Sequence, residues 1–374
     1  TKTNGLGAGY ASDLKWIESS ARTVAKYASG HTIIVEKSTV PVRTAELIKS
    51  ILSSSEEYSS KTFSVLSSPE FLAEGTAIKD LENPDRVLIG GEDEYAIEQL
   101  SLLYQKWIPK NKIFITNVWS SELSKLTANA FLAQRISSIN AMSALCEPTG
   151  ADIKEVSRAI GADSRIGTKF LNAGPGFGGS CFQKDLLNMI YLSRFYGLEE
   201  VANYWEQVIL LNEWQKKRIS KLIIETFYGT VSLKKIGVLG FAFKSNTNDT
   251  RESPSISIVN ELLENGASVV IHDPKVSEKQ ISKFFDNEKI GQSNSNFEGR
   301  WRYTRDLNLL FKDADAIIIL TEWEDYLHIK WKKMSKLMRK PSWLFDTRGI
   351  VEEEKLNGSN INFWRVGKGF IKTT

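Results

Sequence analysis

One stretch of this chain concentrates residue types that do chemistry: Gly174-Pro175-Gly176-Phe177-Gly178-Gly179-Ser180-Cys181-Phe182-Gln183-Lys184-Asp185. A glycine-rich loop runs into a helix pattern and places Cys181 at or near the helix start. The exposed N–H groups there favour negative charge, so a thiolate is stabilised. Lys184 adds positive charge nearby. Asp185, four residues after Cys181, falls on the same helix face. The glycines let a ligand backbone or a phosphate come close. A thiolate with a carboxylate one turn away is equipment for covalent catalysis. A lone cysteine beside a flexible loop would ordinarily be a buried one. The loop glycines and the carboxylate at i+4 turn the balance towards function.

The remaining candidates read as structural. Cys146 sits in an apolar helix pattern and is expected to be a small core residue. His31, His272 and His328 show no metal spacing, so no metal site is expected. The tryptophans are scattered and suit core and interface rather than a stacking platform. The run Ile236 to Phe241, followed by a strand ending at Asp273, imitates a dinucleotide unit. Its glycines do not follow Gly-x-Gly-x-x-Gly.

The elements that must position Cys181 follow from periodicity. Trp16 to Ala28 reads as a helix, His31 to Glu36 as a strand, Thr44 to Leu52 as a helix and Thr62 to Leu66 as a strand. This αβαβ order is the grammar of a parallel sheet with crossover helices. Ser120 to about Ala144 is helical and mostly apolar. A second helical stretch runs from about Asp185 to Thr226, broken near Gly197. A fresh βαβ unit starts at Lys234. In it Ser253 is an N-cap, Pro254 the first helical residue, and Asn265-Gly266 a C-cap signal. Ala267 to His272, Asp315 to Leu320 and Trp343 to Asp346 read as further strands. Asp286 to Gly299 is polar and reads as a surface insertion, and Ser53 to Ser60 is a serine cluster. The expected fold class is α/β: two Rossmann-like doubly wound domains, 1–117 and 231–374, joined by a central helical region, 118–230.

Composition limits the partners. Across 374 residues, 48 Lys and Arg face 45 Asp and Glu, a net charge of +3. That excess is too small to argue for nucleic acid or a membrane surface, so any phosphate site must be local. No apolar run reaches the ~18 residues of a membrane span. Two cysteines exclude a disulfide framework and suit a reducing compartment, the cytoplasm.

The loop ending in Cys181-Phe182-Gln183-Lys184-Asp185 resembles the catalytic-cysteine loop of the nucleotide-sugar dehydrogenases, the UDP-glucose/GDP-mannose dehydrogenase family. Other stretches match in order along nearly the whole chain: Glu36-Lys37-Ser38-Thr39-Val40-Pro41-Val42, Pro69-Glu70-Phe71-Leu72-Ala73-Glu74-Gly75-Thr76-Ala77, Asn83-Pro84-Asp85-Arg86-Val87, Glu122 to Asn129, Gly240 to Lys244 and Asp249 to Ser253. Its animal-type members, which act on UDP-glucose, are the most similar in pattern. The resemblance implies an NAD-dependent four-electron oxidation of UDP-glucose to UDP-glucuronate, two hydrides leaving in succession. Cys181 would hold the aldehyde as a thiohemiacetal and then a thioester. Lys125 and Asn129, one helical turn apart, would stabilise the oxyanion. Asp185, Glu70 and Thr39 would manage water and its protons. Thr39, Glu74, Lys184 and Arg251 would touch NAD. Glu70, Phe71, Leu72, Lys125, Asn129, Phe177, Gly178, Phe182, Phe243, Lys244 and Arg348 would line the UDP-sugar, and Arg165 would reach a neighbouring subunit's substrate. A homo-oligomer, dimer or hexamer, is implied, with the helical centre as interface.

The chain departs from the family pattern at its start. Gly5-Leu6-Gly7-Ala8-Gly9 has no strand before it, so the Gly-x-Gly-x-x-Gly turn that cradles the NAD pyrophosphate is expected upstream of Thr1. The chain then reads as a fragment of a longer protein or a truncated product. The mid-domain break, which leaves a sheet edge unpaired, favours the fragment. Ser68, Gly174-Pro175, Thr347 and Gly349 are smaller departures that touch fine substrate contacts. Rival readings are a dehydrogenase of another nucleotide sugar and a non-catalytic UDP-sugar-binding subunit.

Overall fold

The computed structural model describes residues 9–54, 61–285 and 299–371. Gly5 to Ala8, residues 55–60 of the serine cluster and the insertion 286–298 lie outside them. The chain divides into two compact units: Thr1–Phe131 with Lys184–Glu206, and Leu132–Gln183 with Gln207–Thr374.

Among its described residues the first unit holds a four-stranded sheet in the order β1(His31–Glu36), β2(Thr62–Ser67), β3(Val87–Gly90), β4(Ile113–Thr116). β-branched residues, Thr32 to Val35, fill β1, where two heavy atoms on Cβ suit the pleat. β1 and β2 run parallel from His31↔Thr62 to Glu36↔Ser67. The sheet is mixed: β2 meets β3 through one antiparallel pair, Ser67↔Gly90, whereas the αβαβ pattern predicted parallel pairing throughout. β3 and β4 are only four residues each and escaped the periodicity reading because so short a run carries little signal. On one side, the small Ala21 and Ala25 of helix Lys15–Tyr27 meet Ile48, Ile51 and Leu52 of helix Thr44–Ser53. A second cluster joins Leu66, Val87 and Ile89 to Ala96, Leu100 and Tyr104 of helix Glu94–Tyr104. That helix starts where the Asp93 carboxylate accepts the N–H groups of Tyr95 and Ala96.

Two long helices, Val118–Thr149 and Glu199–Thr226, each contribute to both units. The break expected near Gly197 is present: helix Phe182–Phe195 ends there, with Gly197 at φ +73° and the Leu198 N–H on the Ser193 carbonyl.

Among its described residues the second unit has seven strands: β5(Lys235–Leu239), β6(Ser268–His272), β7(Arg300–Tyr303), β8(Ala316–Ile319), β9(Ser342–Asp346), β10(Ile361–Arg365) and β11(Gly369–Ile371). Their order is β11-β10-β9-β8-β5-β6-β7, all parallel except β10 with β11. β8 throughout and β5 after Lys235 are apolar and buried, as expected of parallel strands covered on both faces. Gly237 lets helix Leu307–Phe311 close onto β5: a Cβ there would lie 2.5 Å from Leu310. Ser253 caps helix Pro254–Glu264 as predicted. Strand order reverses between β5 and β8, and ligands of doubly wound folds bind in the crevice beyond the strand ends at that point.

Candidate active site

In the first unit, buried polar groups gather on two helices. Lys125 and Asn129 lie one turn apart on helix Val118–Thr149 and are 8% and 6% exposed. Asp185, in the first turn of helix Phe182–Phe195, is 1% exposed and accepts a hydrogen bond from Asn129 Nδ2 at 2.5 Å. Burial pushes the Asp185 carboxyl above its usual range, opposed by the Asn129 hydrogen bond and by the charges of Lys184 and Lys125. Lys184 Nζ stands 3.8 Å from its Oδ1. Such a carboxylate is a better proton acceptor than an exposed one.

Phe71 is placed by cations on its ring: the Arg86 guanidinium at 3.7 Å from the centroid and Lys125 Nζ at 5.2 Å. Leu72 and Glu74 are half-buried and Glu70 is exposed. Thr39 is half-buried in the loop after β1. That loop is held by a residue the sequence reading had placed only within a motif, Glu122, whose carboxylate accepts the N–H of Arg43 at 2.7 Å and of Ala45 at 2.8 Å. A second carboxylate overlooked as a functional group is Glu36 at the end of β1. It is 7% exposed, and burial pushes it up to about 7, the charge of Glu122 adding to the rise.

In the second unit, Cys181 is an exposed free thiol immediately before helix Phe182–Phe195. The preceding loop packs against Asp249 to Ser253. Gly179 N–H donates to the Arg251 carbonyl at 2.8 Å, and a Cβ on Gly178 would lie 2.5 Å from the Glu252 carbonyl oxygen. Phe177 is buried and meets Phe182 edge-on at 5.8 Å. Phe243 and Lys244 follow β5, with the ammonium 5.5 Å from the Phe243 ring. Arg348 follows β9, donating to the carbonyls of Leu320 at 2.8 Å and Phe243 at 3.0 Å and pairing with Glu322 at 3.1 Å. Its guanidinium thus ties together the turns after β5, β8 and β9, work the sequence did not reveal. Arg165 and Arg251 are exposed and pair with Asp163 and Asp249 two residues back.

Asp273 accounts for the imitation dinucleotide unit. Its carboxylate accepts the N–H groups of Phe241 at 2.7 Å, Ala242 at 3.0 Å, Lys275 at 2.8 Å and Val276 at 2.9 Å, and the Trp323 indole at 3.1 Å. It is spent on the protein's own turn. Among the described residues no group of three His, Cys, Asp or Glu could hold a metal ion, and no helix is long and apolar enough to cross a membrane.

Three family models match the chain in order: the NAD binding domain of the UDP-glucose/GDP-mannose dehydrogenases at residues 1–108, their central domain at 119–214 and their UDP binding domain at 237–353. The chain belongs to the UDP-glucose/GDP-mannose dehydrogenase family. UDP-glucose 6-dehydrogenase of Drosophila melanogaster is 51% identical over 377 residues, covering all of this chain and 79% of the relative. UDP-glucose 6-dehydrogenase 1 of Arabidopsis thaliana is 50% identical, over 98% of this chain and 79% of the relative. Among solved structures, a UDP-glucose dehydrogenase from Pyrobaculum islandicum superposes with a TM-score of 0.80 at 32% identity, covering 96% of this chain and 77% of that one. The chain is therefore an oxidoreductase, and NAD is its cofactor. The first unit has polar groups that fit such a ligand. At the carboxyl ends of β1 and β2, the Glu36 carboxylate and Ser67 Oγ are buried, and Ser67 Oγ has no hydrogen-bond partner among the described residues. A dinucleotide binds at the carboxyl ends of sheet strands.

Proposed function

We propose that this dehydrogenase oxidises the C6 alcohol of UDP-glucose to the carboxylate of UDP-glucuronate through covalent attachment to Cys181. Residues 1–117 serve NAD, 118–230 the chemistry and oligomer contacts, and 231–374 the UDP-sugar. The observation that carries the reading is the buried Lys125–Asn129–Asp185 group, with the exposed thiol of Cys181 heading the same helix as Asp185. NAD, when bound, accepts a hydride in each of the two oxidations.

The protein's residues account for the rest. Asp185, with Glu70 and Thr39, takes the proton of the attacking water, and its raised proton affinity suits it to that role. Cys181 adds to the aldehyde, and removal of hydride from the adduct leaves a thioester that water cleaves. Lys125 and the Asn129 amide stabilise negative charge on the reacting oxygen. For the UDP-sugar we assign Glu70, Phe71 and Leu72 of the first unit and, in the second, Phe177, Gly178 and Phe182, with Phe243, Lys244 and Arg348 for the UDP portion at the switch point of the second sheet. Thr39, Glu74, Lys184 and Arg251 face the cofactor. Arg165, exposed, reaches a second subunit's substrate in a homo-oligomer. Exposed Val201, Tyr204, Leu210 and Trp214 on helix Glu199–Thr226 support that association.

The deciding experiment counts NADH released per UDP-glucose consumed, with Cys181→Ser beside the wild type. Two NADH per sugar, lost in the variant, is the expected result. One NADH with free aldehyde as product from the wild type would overturn the covalent four-electron route.

A further inference from the structure

The loop between Gly174 and Phe177 belongs to no helix or strand, yet four of its backbone hydrogen bonds are made by three buried amide side chains of the same unit. Asn140 Oδ1 accepts the Gly174 N–H at 2.8 Å. Gln215 Nε2 donates to the Gly174 carbonyl at 2.8 Å. Asn212 grips Phe177 twice, Oδ1 accepting its N–H at 2.8 Å and Nδ2 donating to its carbonyl at 3.1 Å. The three side chains are 1%, 0% and 1% exposed. A fourth residue sets the orientation of Gln215: Arg218 Nε donates to its Oε1 at 3.1 Å, which leaves Nε2 for Gly174. Arg218 is itself fixed by two bonds to Glu147, at 2.9 and 3.2 Å, and Glu147 accepts the Gly367 N–H at 3.0 Å. Gly176, at φ +127°, presses against the Asn212 amide: a Cβ there would lie 2.9 Å from Oδ1.

We infer that Asn212 and Gln215 are positioning residues that set the register of the Cys181 loop. The inference rests on Cys181 being the nucleophile. Losing one of these amides would leave a buried backbone group unsatisfied at its full desolvation cost, so the loop sits firmly where the amides place it. Phe177 is four residues from Cys181, and attack requires the reacting atoms within about 3–3.5 Å, so a small shift of the loop is felt in the chemistry. The amides act through the loop and touch no reacting atom.

Two near-isosteric variants test this. Asn212→Asp keeps the acceptor for the Phe177 N–H and loses the donor to its carbonyl. Gln215→Glu keeps the acceptor for Arg218 and loses the donor to Gly174. Turnover is expressed per folded protein, the folded fraction being read from the denaturant unfolding transition of each variant, so a smaller folded fraction does not count. We expect kcat to fall about 10-fold or more in each variant, with KM for NAD unchanged. Deuterium exchange of the peptide 174–181 in the folded protein reads the tether without turnover and is expected to quicken in both. Turnover per folded protein within about 2-fold of wild type would overturn the proposal, as would unchanged exchange. Should one variant fail to fold, the other carries both measurements. A wild type that releases no NADH would count against the function proposed above, and the exchange result would still decide the tether.

Discussion

Replacing Glu36 with Gln should stabilise the protein at neutral pH and have little effect in acid. The carboxylate is 7% exposed at the end of β1, and burial raises it from the ordinary 4.5 to about 7, opposed by hydrogen bonds from Ser38 and the charge of Lys37, with the charge of Glu122 adding to the rise. A carboxyl that holds its proton more tightly when folded contributes its full stability below the unfolded value. That contribution is lost as pH rises through the folded value. The shift spans 2.5 units, and each unit corresponds to about 1.4 kcal/mol, so the group opposes folding by about 3 kcal/mol above pH 7. At pH 5 the same linkage leaves under about 1 kcal/mol. Gln keeps the size and carries no charge. Denaturant unfolding of wild type and Glu36→Gln, side by side at pH 5 and pH 8, reads the difference. The stability gain should be about 2.5 kcal/mol larger at pH 8 than at pH 5, within the factor of two that Glu122's own titration introduces. A gain equal at both pH values would show that Glu36 is ionised in the folded protein throughout, and the reasoning from burial would fail.

The site gives two further expectations. Gly178→Ala puts a methyl 2.5 Å from the Glu252 carbonyl oxygen and 2.9 Å from Phe243 Cβ, so backbone must move. Stability should fall by about 1–3 kcal/mol, with turnover lost, and thermal melts beside the NADH assay check both; a variant as active and stable as wild type would show the loop to be slack. Asp185 is raised by burial, so the acid limb of kcat against pH should lie above the ordinary carboxylate value of 3.8. Asp185→Asn should remove that limb and lower kcat by about 10²–10⁴-fold; a limb surviving in the variant would belong to another group.

Much of the architecture was legible from local signals. β1 was placed residue for residue, because β-branched side chains crowd a short run between turn signals. The Ser253–Pro254 cap and the break at Gly197 were legible because backbone geometry at helix ends demands few residue types. β3, β4, β7, β10 and β11 were not, since strands of three to five residues gain their stability from neighbours rather than from pattern.

The same division runs through the candidate site. The types and spacing of Cys181, Asp185, Lys125 and Asn129 stand in the sequence, because groups on one helix face are fixed by 3.6-residue periodicity. That Asn129 bonds Asp185 across 56 residues, and that both are buried, is decided by packing of separate helices. Nothing in the local sequence marks Asn140, Asn212 or Gln215, and only the fold brings their amides to Gly174 and Phe177. The glycine pattern already excluded a dinucleotide site at Asp273, and the fold shows its carboxylate turned to the protein's own N–H groups. Glu36 reads as a strand-end carboxylate in sequence, and its shift arises from tertiary burial. Sequence alone determined which chemical groups the chain carries and their order along each element. Tertiary structure decided which of them lose water and meet, because desolvation and long-range hydrogen bonds exist only once the elements pack.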